Sequence, residues 1–189
     1  MYLVLEGVDG AGKTTLAALL SNELSIPVLN LFTGHEEALG MRGHLGSPIP
    51  GIADYAEDLA TADILKRLDA SAIGDRGIAS ADVYRRFRNI EPIDPAVWDY
   101  YWRRIVPRET VVVHVKRDID KCIAARADRF SDIQLAMIDL LFDAVVAMIP
   151  TRIPVIEVYN DGTPEETVRE ITDRLYAILG KDEGEQPTT

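Results

Sequence analysis

Cysteine is almost missing from this chain: Cys122 is the only one in 189 residues, so no intramolecular disulfide can form. A lone thiol without Cys or His at ligand spacing holds no metal; it fits a reducing compartment and the role of a small core side chain. Positive charge is also scarce. The 20 Lys and Arg stand against 31 Asp and Glu, and the net charge of −11 argues against a generally basic, duplex-binding surface while leaving room for a local cationic pocket. No apolar run approaches the roughly 20 residues of a membrane span, and no basic leader precedes an apolar segment, so a soluble cytoplasmic protein with no membrane partner is expected. There is no internal repeat. Hydrophobic residues make up 47% of the chain, enough for a full core in one domain.

Residues 7–14 read Gly-Val-Asp-Gly-Ala-Gly-Lys-Thr, directly after the apolar run Tyr2-Leu3-Val4-Leu5. The G-x-x-x-x-G-K-[ST] spacing between a strand and a helix marks a nucleotide-phosphate site. Gly7, Gly10 and Gly12 allow successive backbone N–H groups to turn inward around an anion. A helix predicted over 13–24, with Leu16, Ala17, Leu19, Leu20 and Leu24 as its apolar stripe, aims its positive end at the phosphates. Lys13 then bridges the β- and γ-phosphates and Thr14 offers its hydroxyl to Mg²⁺, which makes ATP and Mg²⁺ the expected pair. Asp9, Ala11 and Thr15 complete the candidate nucleotide-binding set.

Short continuous apolar runs at 3–5, 27–29, 72–74, 111–115 and 154–158 read as buried parallel strands. Helical spacing separates them over 54–68, 79–88, 95–104, 118–125, 131–149 and 164–179. The last segment opens Thr163-Pro164-Glu165-Glu166, a capping box with proline at the first helical position, and Gly180 follows its end. The alternation predicts an α/β fold, a five-stranded parallel sheet flanked by helices in three layers, with ligands at the carboxyl ends of the strands. Residues 1–180 are expected to form a single domain, 33–52 a long glycine-rich loop and 181–189 a disordered acidic tail.

Asp75-Arg76 lies just beyond a buried strand, at the sheet edge that carries the phosphate loop. There Asp75 can orient an acceptor or hold metal-bound water and Arg76 can neutralise charge on a transferring group; the alternative is a surface ion pair of little energetic weight. Arg126-Ala127-Asp128-Arg129-Phe130 falls between two helical segments and reads either as a short lid whose arginines close over the nucleotide or as a solvated connector. Trp98, Tyr100, Tyr101 and Trp102 precede Arg103 and Arg104 and follow Arg85, Arg86 and Arg88. Such a stretch can stack bases, but rings of this kind more commonly pack into the core. His35 and His44 flank Arg42 in the glycine-rich loop without a third ligand for a metal.

Taken together and in order, these motifs resemble the thymidylate kinase family of nucleoside monophosphate kinases over most of the chain. Residues 6–15 are close to that family's phosphate loop, 75–84 resemble its Asp-Arg-aromatic motif with Ser80 and Tyr84 at matching spacing, Asp128-Arg129-Phe130 resembles its lid, and 159–162 its closing pattern. The resemblance implies that Lys13, Arg126 and Arg129 serve the ATP phosphates, Thr14 the Mg²⁺, for which the residues themselves also offer Asp75, and Asp75 and Arg76 the catalytic and acceptor-phosphate roles, with Asp9 near the acceptor sugar. Members are commonly dimers, so a homodimer is implied as well. The departures fall on the acceptor side. Phe32-Thr33-Gly34-His35-Glu36 replaces the family's Arg-Glu-Pro-Gly segment, leaving Arg42 to supply the positive charge. Arg85, a donor only, stands where the family has a base-reading glutamine; Gly77 replaces the aromatic; and Tyr55 offers a stacking ring near Glu57 and Asp58. The acceptor set is therefore Asp9, Arg42, Tyr55, Arg76, Ser80, Tyr84 and Arg85. The expected activity is transfer of the ATP γ-phosphoryl group to a (deoxy)nucleoside monophosphate. A free deoxynucleoside or a hydroxymethyl pyrimidine within DNA are the alternative acceptors, and a non-catalytic nucleotide-binding module is the alternative of another class.

Overall fold

The computed structural model describes residues 1–30, 50–125 and 130–180. Five strands, β1 (Tyr2–Glu6), β2 (Val28–Asn30), β3 (Ala72–Asp75), β4 (Thr110–Lys116) and β5 (Val155–Tyr159), form one parallel sheet in the order β2-β3-β1-β4-β5. β1 is central, with Leu5 opposite Asp75 of β3 and Glu6 opposite His114 of β4. Every residue of β1 and β3 is buried, which is why both read as apolar runs without alternation. From β1 the chain moves out to β2, returns to β3 and then crosses β1 to β4, so the carboxyl ends of β3, β1 and β4 lie side by side.

The helices are α1 (Lys13–Leu24), α2 (Pro50–Leu68), α3 (Ile78–Phe87), α4 (Pro95–Tyr100), α5 (Ile119–Ala125), α6 (Asp132–Val146) and α7 (Pro164–Leu179). α1 packs on α7, and α3 packs on both α2 and α6, giving helical layers that flank the sheet. The capping box at α7 forms as the sequence predicts, with Glu166 N–H donating to Thr163 Oγ1 (3.3 Å) and Thr163 N–H to Glu166 Oε2 (3.0 Å). Cys122 is buried in the core. Among the described residues no helix is long and apolar enough to cross a membrane.

Three expectations need correction. Helix α2 starts at Pro50, four residues earlier than 54, because proline at a first helical position loses no hydrogen bond; residues 50–52 therefore belong to a helix, and the rest of the expected loop lies outside the described residues. The helix expected over 95–104 is α-helical only to Tyr100 and widens into a π turn over Tyr101–Ile105. That turn sets Tyr101 and Trp102 both inward, their rings edge-on at 4.9 Å, with Trp98 edge-on to Trp102 at 5.7 Å. β5 is an edge strand, so only Ile156 and Val158 point to the core while Val155, Glu157 and Tyr159 are exposed. The segment 181–189 lies outside the described residues.

Candidate active site

β1 runs straight into the phosphate loop, and Gly12 at its end takes a left-handed conformation (φ 93°) as the N-cap of α1, with no side chain capping the helix. The first N–H groups of α1 thus face the loop interior, where they suit an anion. The loop is clamped from outside. A Cβ on Gly10 would collide with the Cys122 carbonyl oxygen, and one on Gly12 with Asn160 Nδ2. Asn160, buried just beyond β5, donates Nδ2–H to the Ala11 carbonyl (2.8 Å) and accepts from Thr167 Oγ1 (3.1 Å). Asn160→Ala leaves a buried carbonyl and a hydroxyl without this partner, and a loss of about 1–3 kcal/mol of stability is expected. Denaturant titration measures it; an unchanged midpoint would show that the amide does not hold the loop.

Lys13 is buried, and its ammonium donates to the Val8 carbonyl (2.7 Å) inside the loop. Burial, reinforced by the Arg76 charge, pushes the ammonium down from an ordinary 10.5 to about 7. Thr14 Oγ1 donates to Asp75 Oδ2 (2.6 Å), which ties the start of α1 to the end of β3. Arg76, the next residue, has φ at +81°, a left-handed backbone uncommon outside glycine, and its guanidinium pairs with Asp9 of the loop. The same guanidinium donates to Ser80 Oγ (3.5 Å) and Tyr84 Oη (3.4 Å) and lies 5.4 Å from the centre of the Tyr84 ring. Lys13, Thr14, Asp75, Arg76, Asp9, Ser80 and Tyr84 are thus brought together.

Glu6 organises this turn from beneath. Gly77 cannot cap α3 with a side chain, and the Glu6 carboxylate does so from β1, accepting from Ala79 N–H (3.2 Å) and from Ser80 Oγ–H. Burial raises Glu6 from an ordinary 4.5 to about 7, although the Ser80 hydrogen bond and the Arg76 and Lys13 charges pull the other way.

A cavity of about 300 Å³ opens over these groups, lined by Asp9, Gly10, Gly12, Lys13, Thr14, Thr15, Arg76, Arg117 and Ala125. Arg117, which lines the cavity, and Asn160, which backs the loop, were given no role by the sequence reading. Both follow strands directly, the same signal that singled out Asp75-Arg76. Arg85 is not brought to the cavity: its Nε donates to the Glu91 carbonyl (2.8 Å) at the far end of α3. Trp98, Tyr101 and Trp102 are core residues and Arg103 pairs with Asp99 (2.5 Å), so of the four rings considered from the sequence only that of Tyr100 is exposed. Arg42, Arg126 and Arg129 lie outside the described residues, as do His35 and His44; Tyr55 lies on α2 with its side chain outside them. A second ligand-type group, His114, Asp143 and Glu157, already surrounds a cation, because Lys116 Nζ stands 2.9 Å from Asp143 and 3.9 Å from Glu157.

No family model and no curated protein sequence matches the chain. Solved structures do. Deoxyadenosine kinase from M. mycoides is similar with a TM-score of 0.67 at 14% identity, over 94% of this chain and 100% of that one. The YorR protein of Bacillus subtilis has a TM-score of 0.65 at 17% identity, over 98% and 100% of the two chains. Shikimate kinase from Acinetobacter baumannii has a TM-score of 0.61 at 16% identity, over 95% and 93%. At these identities the likeness is one of fold, and the fold is that of the P-loop kinases.

Proposed function

We propose that the chain is a phosphotransferase that moves the γ-phosphoryl group of ATP to a (deoxy)nucleoside monophosphate, in the manner of thymidylate kinases. The observation that carries this reading is the convergence, in one cavity, of Lys13 and Thr14 from the loop with Arg76 from the end of β3, Thr14 being tied to Asp75 beneath it. The Thr14 hydroxyl and Asp75 carboxylate, hard oxygen donors in contact, suit Mg²⁺, which when bound would neutralise charge on the β- and γ-phosphates. The protein's own part is positioning and charge neutralisation. The loop N–H groups and Lys13 hold the donor phosphates; Arg76 faces the γ-phosphoryl group as the β–γ bridging bond breaks and the acceptor oxygen bonds to phosphorus. Arg126 and Arg129 would close from the lid, and Arg42 and Tyr55 would complete the acceptor side.

A second acceptor, the hydroxyl of a free deoxynucleoside, is favoured by one observation. Among the described residues on the acceptor side, the carboxylates of Asp9 and Asp75 lie near one guanidinium, that of Arg76, a charge balance better suited to a neutral group than to a phosphate. The similar deoxyadenosine kinase structure contains both dCMP and dCDP as products, so it does not choose between the two acceptors. A base within duplex DNA fits less well, since a chain of net charge −11 gives little electrostatic return for flipping it out.

Incubation with labelled ATP, Mg²⁺ and a panel of monophosphates, free nucleosides and modified oligonucleotides separates these readings. A deoxynucleoside monophosphate is expected to be the best acceptor. Preference for free deoxynucleosides would select the second reading, and absence of product with every acceptor would leave a nucleotide-binding module.

A further inference from the structure

We infer that Arg117 is a ligand of the donor nucleotide's phosphates, a cation fixed at the end of β4 that grips them from the side of the loop opposite Asp75 and Arg76. The inference rests on the nucleotide reading above. The sheet order puts the end of β1 between those of β3 and β4, so the loop has two flanks. The β3 flank carries Arg76 with Asp9, Ser80 and Tyr84 around it, the acceptor side. Arg117 lines the same cavity from the β4 flank, beside Thr15 and Ala125.

No direct ion pair among the described residues holds its charge, which the Asp161 carboxylate feels only from further off. Arg76 is paired with Asp9, whereas among the described residues no carboxylate forms a salt bridge with Arg117. One N–H, from Nη1, donates to the Gly10 carbonyl (2.9 Å), while Nε is enclosed and has no hydrogen-bond partner. A guanidinium has five donors, so the Gly10 contact can persist while others meet phosphate oxygens. The backbone beneath is held firmly. Asp118 N–H donates to Asp161 Oδ1 (2.9 Å), Asp118 Oδ1 accepts from Asp120 N–H (2.9 Å) at the start of α5, and the Cys122 thiol donates to the Arg117 carbonyl (3.8 Å). The cation therefore stands in place on the backbone between β4 and α5.

Calorimetric titration with ADP, without added metal, tests this on wild type, Arg117→Ala and Arg117→Lys. Arg117→Ala is expected to weaken ADP on the order of tenfold, as for loss of a charged hydrogen bond. Arg117→Lys should recover part of the loss, and the apparent KM for the acceptor should stay unchanged. ADP affinity within about twofold of wild type in Arg117→Ala would overturn the inference. So would equal losses in both variants accompanied by faster amide exchange at residues 8–12 without nucleotide, which would make Arg117 a pin for the loop and nothing more. Wild-type protein that binds neither ADP nor inorganic tripolyphosphate would instead remove the nucleotide reading itself, and the inference with it.

Discussion

Lys13→Ala is expected to lower kcat for phosphoryl transfer on the order of 10²- to 10³-fold, the effect of removing one preorganised donor from developing charge, while the protein still folds. The two halves of this result have one cause. The Lys13 ammonium is almost fully enclosed and donates to the Val8 carbonyl inside the loop. Burial disfavours its charged form, as the fall from 10.5 to about 7 expresses, so the charge is a cost to the free protein and a gain only when phosphates arrive. Because the folded-state value is depressed, the contribution of this group to stability improves as pH rises above about 7 and is unfavourable below it. At neutral pH alanine removes that penalty together with some packing of the aliphatic stem, and the variant should melt close to wild type. Rates with labelled ATP and a thermal melt by circular dichroism are the two measurements. Activity within tenfold of wild type would take Lys13 out of the catalytic set, and collapse of the fold would show that it is a structural residue.

How much of this site could be read in the sequence depended on whether a residue's environment was local. β1 and β3 were legible because both faces are covered, which leaves an uninterrupted apolar run, and the phosphate loop because its geometry is set by neighbours in the chain. The same reasoning misjudged β5, since nothing local says that a strand lies at an edge. It could not see the π turn at Tyr101–Ile105 either, because one turn of apolar spacing fits either winding. Arg85 illustrates a finer limit. One residue beyond Tyr84 on α3 it points roughly 100° away around the helix, and its Nε is taken by the Glu91 carbonyl. Arg117 carried the strand-end signal between the run at 111–115 and the helix expected from 118, but nothing local says that β4 lies beside β1. Glu6 was the hardest to foresee: its partners Ala79 and Ser80 lie 73 and 74 residues along the chain, and only the pairing of β1 with β3 brings them to it.

That long-range cap gives the second large effect. Glu6→Gln is expected to become progressively more stable than wild type as pH rises from 5 to 8, the difference growing to about 3 kcal/mol, from a shift of about 2.5 units at 1.36 kcal/mol each. Glu6 sits at 1% exposure, and burial holds its carboxyl at about 7 against an ordinary 4.5. The folded state therefore binds this proton more tightly than the unfolded chain does. The resulting stability is fully present below 4.5 and is lost as pH rises through about 7. Glutamine has no proton to lose, keeps one oxygen to accept from Ala79 or Ser80, and so escapes the loss. Burial and the groups around Glu6 act in opposite senses: burial raises it, while the Ser80 hydrogen bond and the Arg76 and Lys13 charges favour its ionised form, and its own charge helps burial to hold the Tyr2 and Tyr101 phenols well above their ordinary range. Comparing the two proteins at each pH cancels the titration of the exposed carboxylates. Denaturant unfolding at pH 5, 6, 7 and 8 measures the difference directly; a constant offset would mean that Glu6 titrates as an exposed carboxylate does. A growing one would mean that near neutrality the turn holding Asp75 and Arg76 rests on a carboxyl group poised between its two charge states.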